Sequence, residues 1–166
     1  MNNVMIFGKN IPLLEQVACE DSIQLRGSKI LITSRQKSPS FLLDEFRGDL
    51  LYSELFKIYE RMSKKHSVEV LGNLDFKIVK KIDNKEDRIA KLKGNKILVK
   101  LDAVILPKPI LEYILAHEIA HVAIKRHTKR FWKTVELMCP DFRESQDLLS
   151  KYAQSFINKK SGTCLS

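Results

Sequence analysis

No stretch of this chain approaches the roughly 18 consecutive apolar side chains that a membrane-spanning helix needs, and no membrane role is expected of it. Cysteine is scarce. Cys19, Cys139 and Cys164 are odd in number, far apart and form no C-x-x-C pair, a pattern that reads as reduced thiols and not as a disulfide framework. The opening "MNNVMIFGKNIPLLEQ" is apolar only in short pieces, because Gly8, Lys9, Asn10 and Pro12 break it before a signal-peptide core forms. A cytoplasmic location is therefore expected. Internal repeats and low-complexity tracts are also absent.

What is present suits a soluble domain with a real core. Of 166 residues, 44% are hydrophobic and 30% charged, a globular balance. One domain over 1–158 is expected, followed by a flexible tail at 159–166. The net charge of +9 gives a surface that attracts phosphate or acidic proteins. Nucleic acid is thus one expected partner; the oligomeric state is not set by the sequence.

Along the chain, "IQLRGSKILIT" (23–33) alternates around Gly27-Ser28 and predicts a hairpin or a bent strand. From Phe41 to about Lys65, apolar residues recur at helical spacing (Leu43, Phe46, Leu50, Leu51, Leu55, Ile58, Tyr59, Met62), with Gly48 as a point of kinking. The segments 74–82, 87–94 and 95–101 are β-rich, with "KGNK" (93–96) as a turn, and predict a small antiparallel sheet. Pro107 and Pro109 suit the start of a helix over about 109–125. A second helix is expected over 127–138, with Thr128 as its N-cap and Pro140 as its stop. "DFRE" (141–144) has the form of a capping box for a last helix, with Phe142, Leu148, Leu149, Tyr152 and Phe156 facing inward. Strands followed by helices, without β-α-β alternation, make this an α+β pattern.

The chemistry concentrates in "LAHEIAHVAIKRH" (115–127). "HEIAH" fits H-E-x-x-H. Residues four apart share a helix face, so His117 and His121 offer two imidazole nitrogens to one Zn²⁺, with another divalent transition metal as the alternative. Glu118, rotated by about 100° from His117, can stand beside the metal and accept a proton from its water. A catalytic site needs a third protein ligand and an open position. His127 lies six residues past His121, about 240° round in a continuous helix, and reaches the metal only if the helix ends near Ile124–Arg126. No glycine or proline enforces that break. Glu136 and Glu144 are competing third ligands.

The plainer readings are these. A single histidine on the edge of an apolar face is usually a core residue, but two histidines and a glutamate in one turn need several partners at once. His66 stands alone and reads as a surface residue. Phe131 and Trp132 read as core, pinning the second helix against the first. Asp141 reads as a helix cap before it reads as a partner of a ligand histidine. Tyr113 reads as packing before it reads as an oxyanion donor. The cluster "KRHTKRFWK" (125–133) reads as a solvated helix face.

Residues 110–149, "ILEYILAHEIAHVAIKRHTKRFWKTVELMCPDFRESQDLL", resemble the YgjP-like metallopeptidase domain and, more distantly, the SprT-like zinc peptidases. The shared pattern is H-E-x-x-H, a histidine six residues on, then F-W, then P-D-[FY]-R. The resemblance implies His117, His121 and His127 as metal ligands and Glu118 as the base. The family often carries a tryptophan-glycine-serine-cysteine segment ahead of its strand; here "RIAKLKG" (88–94) has no tryptophan, serine or cysteine. The expectation is a small α+β zincin, an antiparallel sheet packed against helices with the motif on one of them. It would hydrolyse peptide bonds in a protein or peptide substrate. A basic nucleic-acid-associated module with a structural or degenerate metal, and a non-peptide metal-dependent hydrolase, are the alternatives.

Overall fold

The computed structural model describes residues 2–66 and 74–161, with side chains over 2–65 and 74–154. Its first element is a hairpin that alternation alone does not announce. Strands β1 (Asn2–Ile6) and β2 (Lys9–Val17) pair antiparallel through the two-residue turn Phe7-Gly8, both at positive φ (48° and 77°). Two positive φ values match the turn to the twist of the strands. Pro12 is tolerated because β2 begins to pair with its other neighbour only at Leu13, so the missing N–H falls where no ladder bond is due.

Strands β3 (Ser22–Arg26) and β4 (Lys29–Ser34) form the expected hairpin. It folds back so that β4 lies between β3 and β2, parallel to β2, in the order β1-β2-β4-β3. The central strand is accordingly the most buried, with Ile30 and Ile32 wholly inside.

Helix α1 (Pro39–His66) runs unbroken through Gly48. It buries Leu51, Leu55, Ile58 and Met62, one face at the predicted spacing. The side chain of His66 lies outside the described residues.

The second sheet holds β5 (Asp75–Val79), β6 (Ala90–Lys93) and β7 (Lys96–Lys100), in the order β5-β7-β6. The expectation of an antiparallel sheet holds for the β6–β7 hairpin, turned at Gly94 with φ 61°, but β5 pairs parallel to β7. The hairpin inserts its second strand beside β5, as in the first sheet, and a returning second strand runs parallel to the strand before the hairpin. The α+β assignment stands: two mixed sheets, richer in antiparallel than in parallel pairs, pack with four helices.

A short 3₁₀ helix (Leu101–Ile105) leads into α2 (Lys108–Ala123), followed by α3 (Lys129–Met138) and α4 (Phe142–Ser161). Pro107 and Pro109 sit at the start of α2, where a helix has no use for their missing N–H groups. Thr128 caps α3, its hydroxyl accepting from Phe131 N at 3.3 Å. The capping box at 141–144 is a correction: Asp141 is exposed, and its carboxylate bonds no helix N–H. Leu148 is exposed too, whereas Phe142 is buried and Leu149 and Tyr152 pack on the core. The Phe156 side chain lies outside the described residues. Of the expected tail, 159–161 continue α4 and 162–166 lie outside them.

Helix α2 is the axis of the core, with Ile110, Leu111, Leu115, Ala116 and Ala120 at most 1% exposed. Its entry is fixed from a distance. Phe7 N and Gly8 N donate to Val104 O and Ile105 O at 2.7 and 2.9 Å, tying the β1–β2 turn to the 3₁₀ helix. No described helix is long and apolar enough to cross a membrane.

Candidate metal centre

The break after α2 decides whether the third histidine reaches the first two. Ile124 N makes the last helical bond, to Ala120 O at 2.9 Å, and Ile124 itself is extended (φ −131°, ψ 105°). The chain turns, Thr128 starts α3, and His127 faces back onto α2. Its Nε2 lies 3.2 Å from His117 Nε2 and 3.1 Å from His121 Nε2; the last two are 3.2 Å apart. Glu136 and Glu144, the competing third ligands, are exposed and take no part in this group.

Three imidazole nitrogens cannot satisfy one another in such a triangle. A ring nitrogen either donates or accepts, never both. However the protons are distributed, at least one of the three contacts sets lone pair against lone pair or proton against proton. His121 narrows the choice. Its Nδ1 lies 3.1 Å from Ile124 O, which only accepts, so Nδ1 carries the proton and a neutral ring turns its Nε2 lone pair inward. A cation among the three resolves the conflict. The spacing suits one, since a tetrahedral zinc with Zn–N near 2.0–2.1 Å places its ligands about 3.3 Å apart. Among the described residues, these three histidines are the one group placed to hold a metal ion.

Electrostatics agree. Burial, and then the neighbouring His121 and His127, push His117 down to about 4, so its ring is neutral, the ligating form, at pH 7. The Nδ1 of His117 is buried without a hydrogen-bond partner. Glu118 is half-buried one position along. Burial raises its carboxyl above the usual range, against the opposing effect of Leu92 N–H, which donates to Oε2 at 2.8 Å.

That bond crosses a cleft of about 600 Å³, with α2 on one side and β6 on the other. Strand β6 is an edge of its sheet. Lys100 N bonds Ile89 O, and antiparallel pairs alternate, so Lys91 and Lys93 bond β7 while the backbone groups of Ala90 and Leu92 point outward, toward α2. Arg88 and Lys91 stand on the rim, both paired with Asp83; Tyr113, Ile114 and Leu149 form an apolar end.

The other candidates separate clearly. Tyr113 is 6% exposed, with its ring against Phe142, so it packs while lining the cleft. Asp141 bonds no histidine. The basic side chains of 125–133 are exposed, as expected of a solvated face. Phe131 is fully buried, but Trp132 is only half-buried and stacks on His127, a role that the helical spacing of apolar residues does not reveal. Leu92 is likewise missed by motif reasoning, because its contribution is a backbone N–H.

No curated protein and no solved structure matches this chain. Residues 81–152, which supply the cleft strand, all three imidazoles and the rings behind them, match the family model described as YgjP-like, metallopeptidase domain.

Proposed function

We propose that the protein is a metal-dependent peptidase in which His117, His121 and His127 hold Zn²⁺ or a similar divalent ion and Glu118 is the general base. The observation that carries the reading is the triangle of Nε2 atoms at 3.1–3.2 Å, with a half-buried carboxylate beside it and a strand edge opposite.

A divalent ion in that position supplies Lewis acidity, which lowers the pKa of a water and polarises a carbonyl. The residues of the chain do the rest. The outward backbone groups of Ala90 and the carbonyl of Leu92 accept an extended peptide along β6, with main-chain hydrogen bonds that do not depend on its sequence, while the Leu92 N–H stays on Glu118. The strand runs beside α2, which brings a scissile bond past the imidazoles. Glu118, poorly solvated and aimed by Leu92 N–H, takes the proton of the attacking water and passes it to the leaving amine. The apolar surface of Ile114 and Leu149 excludes water from one end of the cleft.

The test is Glu118→Gln. The amide keeps the shape and removes the base. Folding and metal content should be unchanged, while peptide hydrolysis falls by about 10²- to 10⁴-fold. Full activity in this variant would overturn the mechanism. Loss of bound metal in His127→Ala, measured by elemental analysis, tests the ligand set separately.

A further inference from the structure

A metal-binding imidazole is usually aimed by a hydrogen bond from its outer nitrogen to a carbonyl or carboxylate. Among the described residues, only His121 has one, to Ile124 O. The outer nitrogen of His117 is buried and unpartnered. His127 is exposed, lies in the short connection between α2 and α3, and its ring nitrogens make no hydrogen bond except those toward the other two imidazoles. Something other than hydrogen bonding must orient two of the three rings.

Aromatic rings surround them. His127 stacks on Trp132, with centroids 5.7 Å apart and planes 27° from parallel. Trp132 stacks in turn on Phe142 at 5.6 Å and 15°, and Phe142 on Tyr113 at 6.4 Å and 23°. The column thus starts at the exposed imidazole, passes through α3 and the first residue of α4, and ends on α2 one turn before His117. His117 makes T-shaped contacts with Tyr113, Phe131 and Trp132 at 5.0–6.0 Å. These separations are those at which ring pairs attract beyond simple burial. Phe131 also meets both, at 4.8 Å from His127 and 5.0 Å from His117, but stands nearly perpendicular to each; among the described rings Trp132 is the one that stacks on His127 and also touches His117.

We propose that Trp132 is a positioning residue for the metal centre: its ring face, backed by Phe142 and Tyr113, holds His127 in the ligating orientation, as the Ile124 carbonyl does for His121. This rests on the reading of the three histidines as ligands. It makes α4, which supplies no ligand, a support of the site through Phe142.

The experiment compares Trp132→Leu, which keeps apolar bulk without a ring face, with Trp132→Phe, which keeps a face. Affinities for Zn²⁺ and Co²⁺ are measured by competition with a chromophoric chelator. Thermal unfolding of each metal-free protein reports on folding. Trp132→Leu should weaken metal binding by about 10- to 100-fold, the usual cost of losing a ligand's support, while Trp132→Phe stays within about threefold of the parent. Equal affinities in the parent and Trp132→Leu would overturn the inference alone. So would equal weakening in both variants, since the ring face would then not be the agent. A parent protein that takes up neither ion would overturn the ligand assignment first, and this inference with it.

Discussion

Leu92 and Glu118 are joined across the cleft by a hydrogen bond of 2.8 Å, from the backbone N–H of an edge strand to a half-buried carboxylate. Because the donor is backbone, side-chain truncation does not remove it. Leu92→Pro does, and proline is acceptable there because that N–H points away from β7. A hydrogen bond to a charged group is worth roughly 1.5–3 kcal/mol, so kcat/KM on a peptide should fall by about 10- to 100-fold. Leu92→Ala, which keeps the N–H, should lie much nearer the parent. Equal losses in both would show that the bond does not aim Glu118.

Trp132 is the only tryptophan in the chain, and it lies against His127. Its fluorescence therefore reports on the site without a label. Adding Co²⁺ or Zn²⁺ to metal-free protein should change the emission, with an end point at one ion per chain. The change should vanish in His127→Ala. Bound metal should also raise the unfolding midpoint, since a ligand at 100 times its Kd adds about 2.7 kcal/mol. A chelator should reverse both effects. Emission indifferent to metal would contradict the stacking geometry.

How the site was legible from sequence follows from which contacts are local. The four-residue spacing of His117 and His121 sets their common face, whatever the rest of the chain does. Spacing offers His127 as a third ligand only on condition of a break after α2, beside Glu136 and Glu144 as competitors, because that break rests on an extended Ile124 and a capping Thr128, with no glycine or proline to announce it. The hairpin β1–β2 was not read as strands: Asn10 and Pro12 look like breakers, and Phe7 at φ 48° is not a customary turn residue. The parallel placement of β5 against β7 leaves no trace in alternation, which is the same for either direction. Trp132 looked like core because spacing gives a side chain's direction along a helix, not the ring it meets.

Gly8 has φ 77°, and a Cβ built there would lie 3.0 Å from Pro107 Cγ. Gly8→Ala should destabilise by about 1–3 kcal/mol for the backbone conformation alone, with the contact adding to it. Gly27 has φ 60° but open space around it. Gly27→Ala therefore measures the backbone cost by itself. The difference between the two in urea unfolding should be positive and should reflect how firmly the β1–β2 turn seats on the entry to α2. A difference of zero would mean that Pro107 gives way freely.

Asp21 accepts hydrogen bonds from the backbone N–H groups of Arg35, Gln36 and Lys37, which hold its carboxyl below the ordinary 3.8. A folded value below the unfolded one contributes stability that is fully present above about pH 4 and is lost as pH falls through the folded value. Asp21→Asn should remove that part of the acid dependence, so parent and variant curves of stability against pH should converge below about pH 4. Parallel curves throughout would show that the carboxylate does not brace the approach to α1.

All three imidazoles come from the eleven residues 117–127, most of them already in one helix. Closing so short a segment takes little search, on the order of 10–100 ns for a loop of about ten residues. The triangle of imidazoles can thus close as soon as α2 and the start of α3 have formed. The β1–β4 sheet, made earlier, contributes no residue to the lining of the cleft and is tied to the entry of α2, where the β1–β2 turn bonds the 3₁₀ helix.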